Sequence, residues 1–492
     1  MMRFTRTSAV LATLLVTSCT AIGPDYEQPA VTTQTEWTEA ESPLVDASAT
    51  LDPRWWQVAF ADPVLDELVE MALENNLSLR SAGLRVLQSQ QQLAIAIGSQ
   101  YPQQQQISGS AEREQENGTR INNYNVGFNL TWEIDFWGRF RRQIESASAE
   151  LDASVASYDE AMVSLVAQVA QSYVLLRTFQ DRLAIAHTNI KLQAESLRIA
   201  QAKLDAGDAS ELDVDQATSL LYSTRATVPA LEISLQQTKN ALALLLGETP
   251  QQFNPLAGTI GAIPTTTPSI ALGMPQDLIR QRPDIRNAES QLAAQSAQIG
   301  FAKTELYPSF SIGGSIGTDA METDDLFSNE GEAWSIFGGF QWNVFNYGRL
   351  QSNVRLQDAL FQQLLVDYQF TVLQAQVDVE NSIVAYLKTY QQVKEYRRAE
   401  TAAQLAVDVS TAQYQDGLVD FNTVITNLNA LATQQDLLAS SRGEVATNLV
   451  QVYRSLGGGW QVRDNQDPVD LLPAEMRETM KQRTDAWEGV LK

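Results

Sequence analysis

Side chains that could carry out chemistry are scarce in this sequence. Among 492 residues there is one histidine, His187, and one cysteine, Cys19, which excludes an intramolecular disulfide, a cysteine-cluster zinc site and an iron–sulfur cluster. Glu133 and Asp135 are two residues apart, but they alternate with apolar residues, and we interpret them as the lining of an aqueous interior. His187 lies within a helical pattern and is interpreted as a surface or packing residue. The sequence therefore predicts no enzyme, no metal site and no bound cofactor.

The position of Cys19 predicts a covalent lipid. Two arginines precede an apolar run, residues 9–16, which is too short to span a bilayer and has the length of a signal-peptide core. The four residues that end at Cys19 are typical of a bacterial lipobox. We expect residues 1–18 to be a signal peptide and Cys19 to carry S-diacylglycerol and N-palmitoyl groups. Thr20, in place of the aspartate that favours inner-membrane retention, points to the outer membrane.

Overall charge and hydropathy exclude other classes of protein. There are 59 acidic and 34 basic residues, a net charge of −25, which argues against a nucleic-acid partner. Apolar residues make up 44% of the chain, enough to form a core. After Cys19 no run of about 18 apolar residues occurs, so any membrane crossing would have to use β-strands.

The chain is an internal duplication. Residues 132–139 (WEIDFWGR) are echoed by residues 342–349 (WNVFNYGR), an offset of 210, and Gly207 and Gly417 have the same offset. A period this long indicates a duplicated domain rather than a solenoid repeat.

Each half contains a very long predicted helix. Residues 139–206 and 349–416 contain 68 residues each and neither glycine nor proline. At 1.5 Å per residue each helix is about 100 Å long, which implies coiled-coil-like packing. Gly207 and Gly417 are placed to end these helices in the left-handed conformation, and a second helical stretch follows each glycine. We expect helical hairpins over residues 138–246 and 348–456.

Alternating residues predict four strands. In residues 125–136 the two faces are Val126, Phe128, Leu130, Trp132, Ile134 and Phe136 against Asn125, Gly127, Asn129, Thr131, Glu133 and Asp135. Residues 334–345 repeat the pattern, and weaker runs near residues 107–111 and 310–316 precede the two segments. Two half-buried hairpins of a soluble protein are the alternative. An outer-membrane β-barrel is favoured because the apolar face ends in aromatic residues, the other face is polar and the cysteine is placed for acylation.

Four strands cannot close a barrel, and open edges are not tolerated in hydrocarbon. Two chains would supply eight strands and three would supply twelve. Asn129, Glu133, Gln341 and Asn343 fall on the polar face and suit a wide aqueous lumen, which favours a trimer without excluding a dimer.

The first hairpin turn is acidic. Five acids fall in eleven residues without a base: Asp205, Asp208, Glu211, Asp213 and Asp215. These side chains could cap the helix that follows. Alternatively, they form an acidic surface on which a basic partner docks.

Together, these features resemble the outer membrane factors, the TolC-like channels, of the lipoprotein branch that serves tripartite RND efflux pumps. Besides the repeated motif at 132–139, the matching segments are Gly23-Pro24-Asp25-Tyr26, Trp55-Trp56, Arg282-Pro283-Asp284-Ile285-Arg286 and Leu456-Gly457-Gly458-Gly459-Trp460. The resemblance covers about residues 16–460, and residues 461–492 match nothing in it.

The resemblance implies a mixed α/β membrane channel. Three copies would form a twelve-stranded outer-membrane β-barrel continuous with a long periplasmic α-helical barrel, with an equatorial domain around its middle. A periplasmic adaptor (membrane fusion) protein would meet the tips, and an inner-membrane RND transporter would supply the energy. The implied tip residues are Asp205, Gly207, Asp208, Asp213, Gly417 and Asp420. The implied aperture residues are Asp416, Thr426 and Asn429, of which the last two are neutral where related channels often carry charge.

The implied function is passive conduction of drugs or other small molecules out of the cell. A channel of the same fold for metal ions or type I protein secretion is one alternative, and a lipid-tethered coiled-coil scaffold is another. The expected division of the chain is a signal peptide (1–18), a lipid-anchored N-terminal and equatorial segment (19–78), a first repeat (79–247, strands about 103–136), a linker (248–284), a second repeat (285–457, strands about 308–346) and a C-terminal equatorial segment and tail (458–492).

Overall fold

The computed structural model describes residues 21–46, 51–116, 118–252, 261–266, 270–271, 279–328 and 331–491. The predicted signal peptide and Cys19 lie outside these ranges, so lipidation stays a prediction. In chain order the strands and helices are β1 (Val45–Asp46), α1 (Trp55–Phe60), α2 (Pro63–Asn75), α3 (Leu77–Gly98), β2 (Gln104–Glu116), β3 (Thr119–Ile134), α4 (Arg139–Ala206), α5 (Glu211–Leu245), β4 (Ile270–Ala271), α6 (Pro283–Thr304), β5 (Ser309–Ala320), β6 (Glu332–Gln341), α7 (Arg349–Gln415), α8 (Phe421–Ser455) and α9 (Ala474–Arg483).

The two long helices lie where the sequence predicts them, in stretches without glycine that are each followed by a glycine. Helix α4 covers 68 residues and α7 covers 67. Gly207 and Gly417 follow them with φ values of +82° and +74°. The next residue in each turn donates its N–H back into the helix, Asp208 to the carbonyl of Lys203 at 2.8 Å, which satisfies carbonyl groups that the helix end leaves open.

Strands β2, β3, β5 and β6 form one sheet in that order, and every neighbouring pair is antiparallel. The prediction was wrong at two strand ends. Phe136 lies beyond β3, and β6 stops at Gln341, so the alternating residues 342–345 are not in the strand. At both exits a residue donates its N–H to the carbonyl two positions earlier, Phe136 to Ile134 and Val344 to Trp342. Such tight turns break the ladder and redirect the chain towards the next helix.

The chain folds into two compact units. The first consists of the described residues of Met1–Val31, Leu84–Ala156 and Arg286–Thr371, and it contains the four-stranded sheet. The second consists of the described residues of Thr32–Gly83, Ser157–Ile285 and Val372–Lys492. It contains both helical turns and the short parallel pair β1–β4.

In the first unit, the segment that begins at Ala21 is fastened beside the end of β3. Ile22 donates its N–H to the carbonyl of Trp137 at 2.9 Å. The Arg142 side chain, 3% exposed, donates to the carbonyls of Ile22 and Gly23 and pairs with Asp25 at 2.9 Å. A Cβ on Gly23 would lie 2.4 Å from the Cα of Gly300, so glycine is needed for this close approach.

In the second unit, residues 461–491, which match nothing in the family resemblance, contribute to the core. Arg463 forms two hydrogen bonds with Asp159, at 2.9 and 3.1 Å, and the Asp159 side chain is completely buried. Leu472 is buried against Gly83, where an added Cβ would lie 3.1 Å from a Leu472 methyl carbon. The segment after Trp460 therefore stabilises the unit rather than hanging from it as a loose tail.

Candidate functional site

One face of the four-stranded sheet is apolar and uncovered. The strand register places Phe128 between Ile107 and Ile316, and Ile316 opposite Trp334. In the described chain Trp334 is 69% exposed and Ile336 is 82% exposed. The apolar members of this face are Ile107, Val126, Phe128, Leu130, Trp132, Ile134, Phe310, Ile312, Ile316, Trp334, Ile336 and Phe340. A soluble monomer rarely exposes so large a continuous apolar patch, which weighs against two half-buried soluble hairpins.

The opposite face carries mainly small and polar side chains, although Phe337 also lies on it, beside Gly313. Asn125 donates to Ser110 at 2.8 Å, and Asn129 donates to Ser108 at 3.0 Å. Ser315 and Ser335 are hydrogen-bonded across the strands at 2.8 Å. The predicted separation into an apolar and a polar face therefore describes the sheet.

The predicted lumen residues gather at one end of the sheet. Glu133, Gln341 and Asn343 line a common cleft of about 280 Å³, whereas Asn129 lies four residues away along β3. Glu133 pairs with Arg139 at 3.3 Å.

Asp135 forms its own hydrogen bonds and ion pair at the start of helix α4. It accepts the backbone N–H groups of Phe140 and Arg141, each at 3.1 Å, and also pairs with the Arg141 side chain. These bonds satisfy free donors in the first turn of α4. The interpretation of Glu133 and Asp135 as non-catalytic carboxylates fits these contacts.

The helical turns pack against each other in the second unit. The buried cluster there consists of Ala200, Ala217, Leu220, Val407, Tyr414, Phe421, Val424, Leu428 and Leu431. The Tyr414 ring lies 4.9 Å from that of Phe421 and 4.9 Å from the Lys203 ammonium group, a cation–π distance. Helices from both repeats therefore share one small core at their turns.

The structure separates the acids of the first turn into two groups. Asp213 accepts the N–H of Ser210 at 3.1 Å while Ser210 accepts the N–H of Asp213, a reciprocal capping box at the start of α5. Asp205 and Asp208 lie on either side of Gly207, and both are exposed. The capping explanation therefore accounts for Asp213. Asp205 and Asp208, together with the exposed Glu211 and Asp215, are left for the docking hypothesis.

At the second turn, beside Gly417, Asp416 and Asp420 are exposed, and Asp420 forms no side-chain cap on α8. Thr426 donates its hydroxyl to the carbonyl of Asn422 at 2.7 Å, so it is occupied within its own helix. Asn429 is exposed and lines a cleft of about 440 Å³.

Sequence reasoning missed an ion pair in that cleft. Arg182 of α4 binds Asp436 of α8 through two hydrogen bonds, at 2.7 and 3.0 Å. The cleft is also lined by Asn429, one of the two neutral residues of the implied aperture. No local pattern joins two residues that are 254 positions apart, so only folding reveals this link between the two repeats.

Among the described residues, no helix combines the length and the apolar character that crossing a bilayer requires. Over the same part of the chain, no group of three or more His, Cys, Asp or Glu side chains is placed to hold a metal ion.

Known proteins with similar sequences and structures are channels. The family model described as outer membrane efflux protein matches residues 68–248 and 274–458, one segment in each repeat. The cation efflux system protein CusC of Escherichia coli K12 is 28% identical over 449 residues, which cover 91% of this chain and 97% of CusC. The pyoverdine export outer membrane protein OpmQ of Pseudomonas aeruginosa is 29% identical over 466 residues, covering 91% and 96%. The solved outer-membrane channel OprN superposes with a TM-score of 0.85 at 31% identity, covering 89% of this chain and 99% of OprN.

The fold is that of trimeric channels whose chains each contain two tandem repeats. These proteins are channels rather than enzymes, and they serve in the outer membrane in efflux systems that span the periplasm. With matches in both repeats, this chain belongs to the outer membrane efflux protein family.

Proposed function

We propose that this protein is the outer-membrane exit duct of a tripartite efflux pump and conducts small molecules passively through a trimeric channel. The observation that carries the proposal is the sheet with one uncovered apolar face and one polar face. Lipid would cover the first face and water the second, which is the arrangement of a membrane-spanning closed sheet.

Association of three copies is supported by the edges of the sheet. Strands β2 and β6 form its two edges, and their outer backbone groups have no strand neighbour within the described chain. Because all three internal pairings are antiparallel, β6 of one copy would run antiparallel to β2 of the next, so the ladder continues around the ring. Helix α7 also leaves Leu373 and Val377, one turn apart, exposed for a neighbouring copy.

A channel has no energy source of its own, so we propose a periplasmic adaptor at the helical turns and an inner-membrane RND transporter beyond it. Small organic molecules are the proposed cargo. Similarity to OpmQ, a pyoverdine export protein, supports this class, while similarity to CusC, a cation efflux protein, supports metal cations as a second candidate.

Two measurements test the duct. The purified protein in a planar bilayer should give a steady ionic conductance, and deleting its gene should increase the accumulation of dyes and antibiotics in intact cells. Absence of conductance would refute the channel. Sensitivity of the deletion strain to metal salts alone would replace organic cargo by cations, and loss of a secreted protein would favour type I secretion.

Cys19 is proposed to anchor the chain through lipid. The described chain begins at Ala21. This residue lies beside Gly138, since a Cβ added to Gly138 would come within 2.5 Å of the Ala21 Cβ. Gly138 follows shortly after the apolar segment of β3. A lipid on Cys19, two residues before Ala21, would start close to this end of the sheet. Radiolabelled palmitate should label the wild type and Thr20→Ala but not Cys19→Ala. Equal labelling of Cys19→Ala would place the lipid elsewhere or exclude it.

The exposed acids Asp205 and Asp208 are expected to accelerate docking of the adaptor. Replacing both by Asn should slow association about tenfold at low ionic strength, with little difference at high salt, because steering by charge is screened. Asp213→Asn is the matched comparison: it should instead destabilise the start of α5, by about 1 kcal/mol. Association rates measured over a salt series decide between docking and helix capping. If all variants associate at the same rate, the acids of the first turn act only as helix caps.

We expect the isolated trimeric channel to conduct cations in preference to anions, because of the acids at the second turn. Asp416 and Asp420 are exposed and recur in each copy, so a trimer would gather six carboxylates near its axis. Asp416→Asn with Asp420→Asn should move the reversal potential in a salt gradient towards zero. Asp205→Asn provides a comparison at the first turn. A reversal potential unchanged in the double variant would show that these acids do not face the pore.

A further inference from the structure

Helix α7 carries a concentration of positive charge that contrasts with the rest of the chain. Residues 388–398 include the exposed cations Lys388, Lys394, Arg397 and Arg398 and a single acid, Glu395, a net charge of 4 − 1 = +3, whereas the whole chain has −25. Solvated helices usually mix both signs of charge. An excess of one sign on a strongly acidic protein therefore calls for a partner of opposite charge.

A cleft lies beside this positive segment. It has a volume of about 470 Å³ and is bounded by α4, α7, α8 and residues 262–266. Two arginines line it, Arg397 from α7 and Arg442 from α8, and we call it the two-arginine cleft. Its walls also include the Tyr390 ring and the apolar side chains of Val393, Val445 and Pro264.

The two arginines differ from their neighbours in the contacts that their guanidinium groups make. Arg398 is paired with Glu395 at 3.0 Å, and Lys394 lies 5.0 Å from the centre of the Tyr390 ring. Within the described ranges, neither Arg397 nor Arg442 is bound through its guanidinium group to a hydrogen-bond acceptor or a carboxylate.

The one acid in the cleft does not neutralise both arginines. Asp181 interacts with Arg442, and its pKa is raised because burial outweighs this attraction. The lining therefore has two guanidinium groups for one carboxylate. Guanidinium groups bind carboxylates through paired hydrogen bonds of matching geometry, so the cleft is suited to a ligand that supplies further carboxylates.

We propose that the two-arginine cleft binds the short carboxylate-bearing peptides of the cell-wall polymer. The protein belongs to systems that span the periplasm, where that polymer is located. A recess of this size with a few apolar walls accommodates a peptide end better than the broad surface of a folded protein. Such contacts would attach the channel to the wall without taking part in conduction.

Co-sedimentation with isolated cell-wall sacculi tests the proposal. The purified full-length trimer in detergent should sediment with sacculi, and the bound fraction should fall as salt rises. Arg397→Gln with Arg442→Gln should weaken binding about tenfold or more, the loss of at least one charge-assisted pair. Lys388→Gln with Arg398→Gln is the matched control, because it also removes two positive charges, from exposed side chains of α7 that do not line the cleft.

Two further arms identify the ligand group. Sacculi whose carboxylates have been converted to amides should no longer bind the wild type. Vesicles of anionic phospholipid should bind the wild type and the double variant alike. Three outcomes would each overturn the proposal. The double variant could bind sacculi as well as the wild type does, the wild type could bind amidated sacculi undiminished, or the wild type could fail to bind sacculi. The unfolding midpoint of the double variant, expected to match the wild type because both side chains are exposed, excludes misfolding as the cause of a loss.

Discussion

Arginine in place of Ile336 is expected to abolish the stable membrane form of this protein. Ile336 lies on β6 in the uncovered apolar face, opposite Gly314, and is 82% exposed in the single chain. If lipid covers that face, an arginine near the middle of the bilayer costs about 2–4 kcal/mol in each chain. Three copies multiply the penalty, which is large compared with the marginal stability of most folded proteins.

Ser335→Arg provides the matched control for this prediction. Ser335 precedes Ile336 on the same strand and points to the polar face, where it is bonded to Ser315. The same substitution there would meet water in a wide lumen and should leave trimers in outer-membrane fractions. Heat-resistant trimer bands on gels and the quantity of protein in the membrane are the measurements. Equal effects of the two substitutions would show that the two faces do not meet lipid and water as proposed.

The second large effect is expected at the buried pair of Arg463 and Asp159. Arg463→Met leaves the completely buried Asp159 carboxylate without its bidentate partner. Removing one member of such a pair costs about 3–5 kcal/mol because the remaining charge stays desolvated. The thermal unfolding midpoint of the trimer should fall, and protease should cleave the region after Trp460 more readily.

A double variant separates the charge from the packing. Arg463→Met combined with Asp159→Leu removes both charges and should recover most of the stability that the single variant loses, since no unpaired charge remains. If the double variant is as unstable as the single one, the contribution of Arg463 lies in the packing of its stem rather than in the ion pair.

Interactions between near neighbours were readable from the sequence. Helix α4 has the predicted ends, residues 139 and 206, because glycine and proline are absent between them and Gly207 provides the left-handed cap. The two faces of the sheet followed from alternation, since side chains of a strand point to opposite sides in turn. The duplication and the resemblance to outer membrane factors rest on the same local patterns, and the family match agrees with them.

Local reasoning was less accurate where a pattern continued past its element. Residues 342–345 keep the alternation of β6 but lie in a turn, because the backbone folds back at Val344 to enter α7. Asp213 looked like the other acids of the first turn, and only the geometry of its reciprocal bonds with Ser210 distinguishes a cap from a docking residue.

By itself, the sequence determined the helix ends and the sheet faces, because each depends on residues within a few positions of one another. It also determined the repeats and the class of protein, because both rest on short motifs that can be compared directly. The tertiary structure alone decided which charges meet. Arg182 binds Asp436 and Arg463 binds Asp159 across 254 and 304 positions, while Arg397 and Arg442 share a cleft. Such pairings depend on which helices pack side by side, and that choice is made by burial of apolar surface over the whole chain, which carries no local signal of its own.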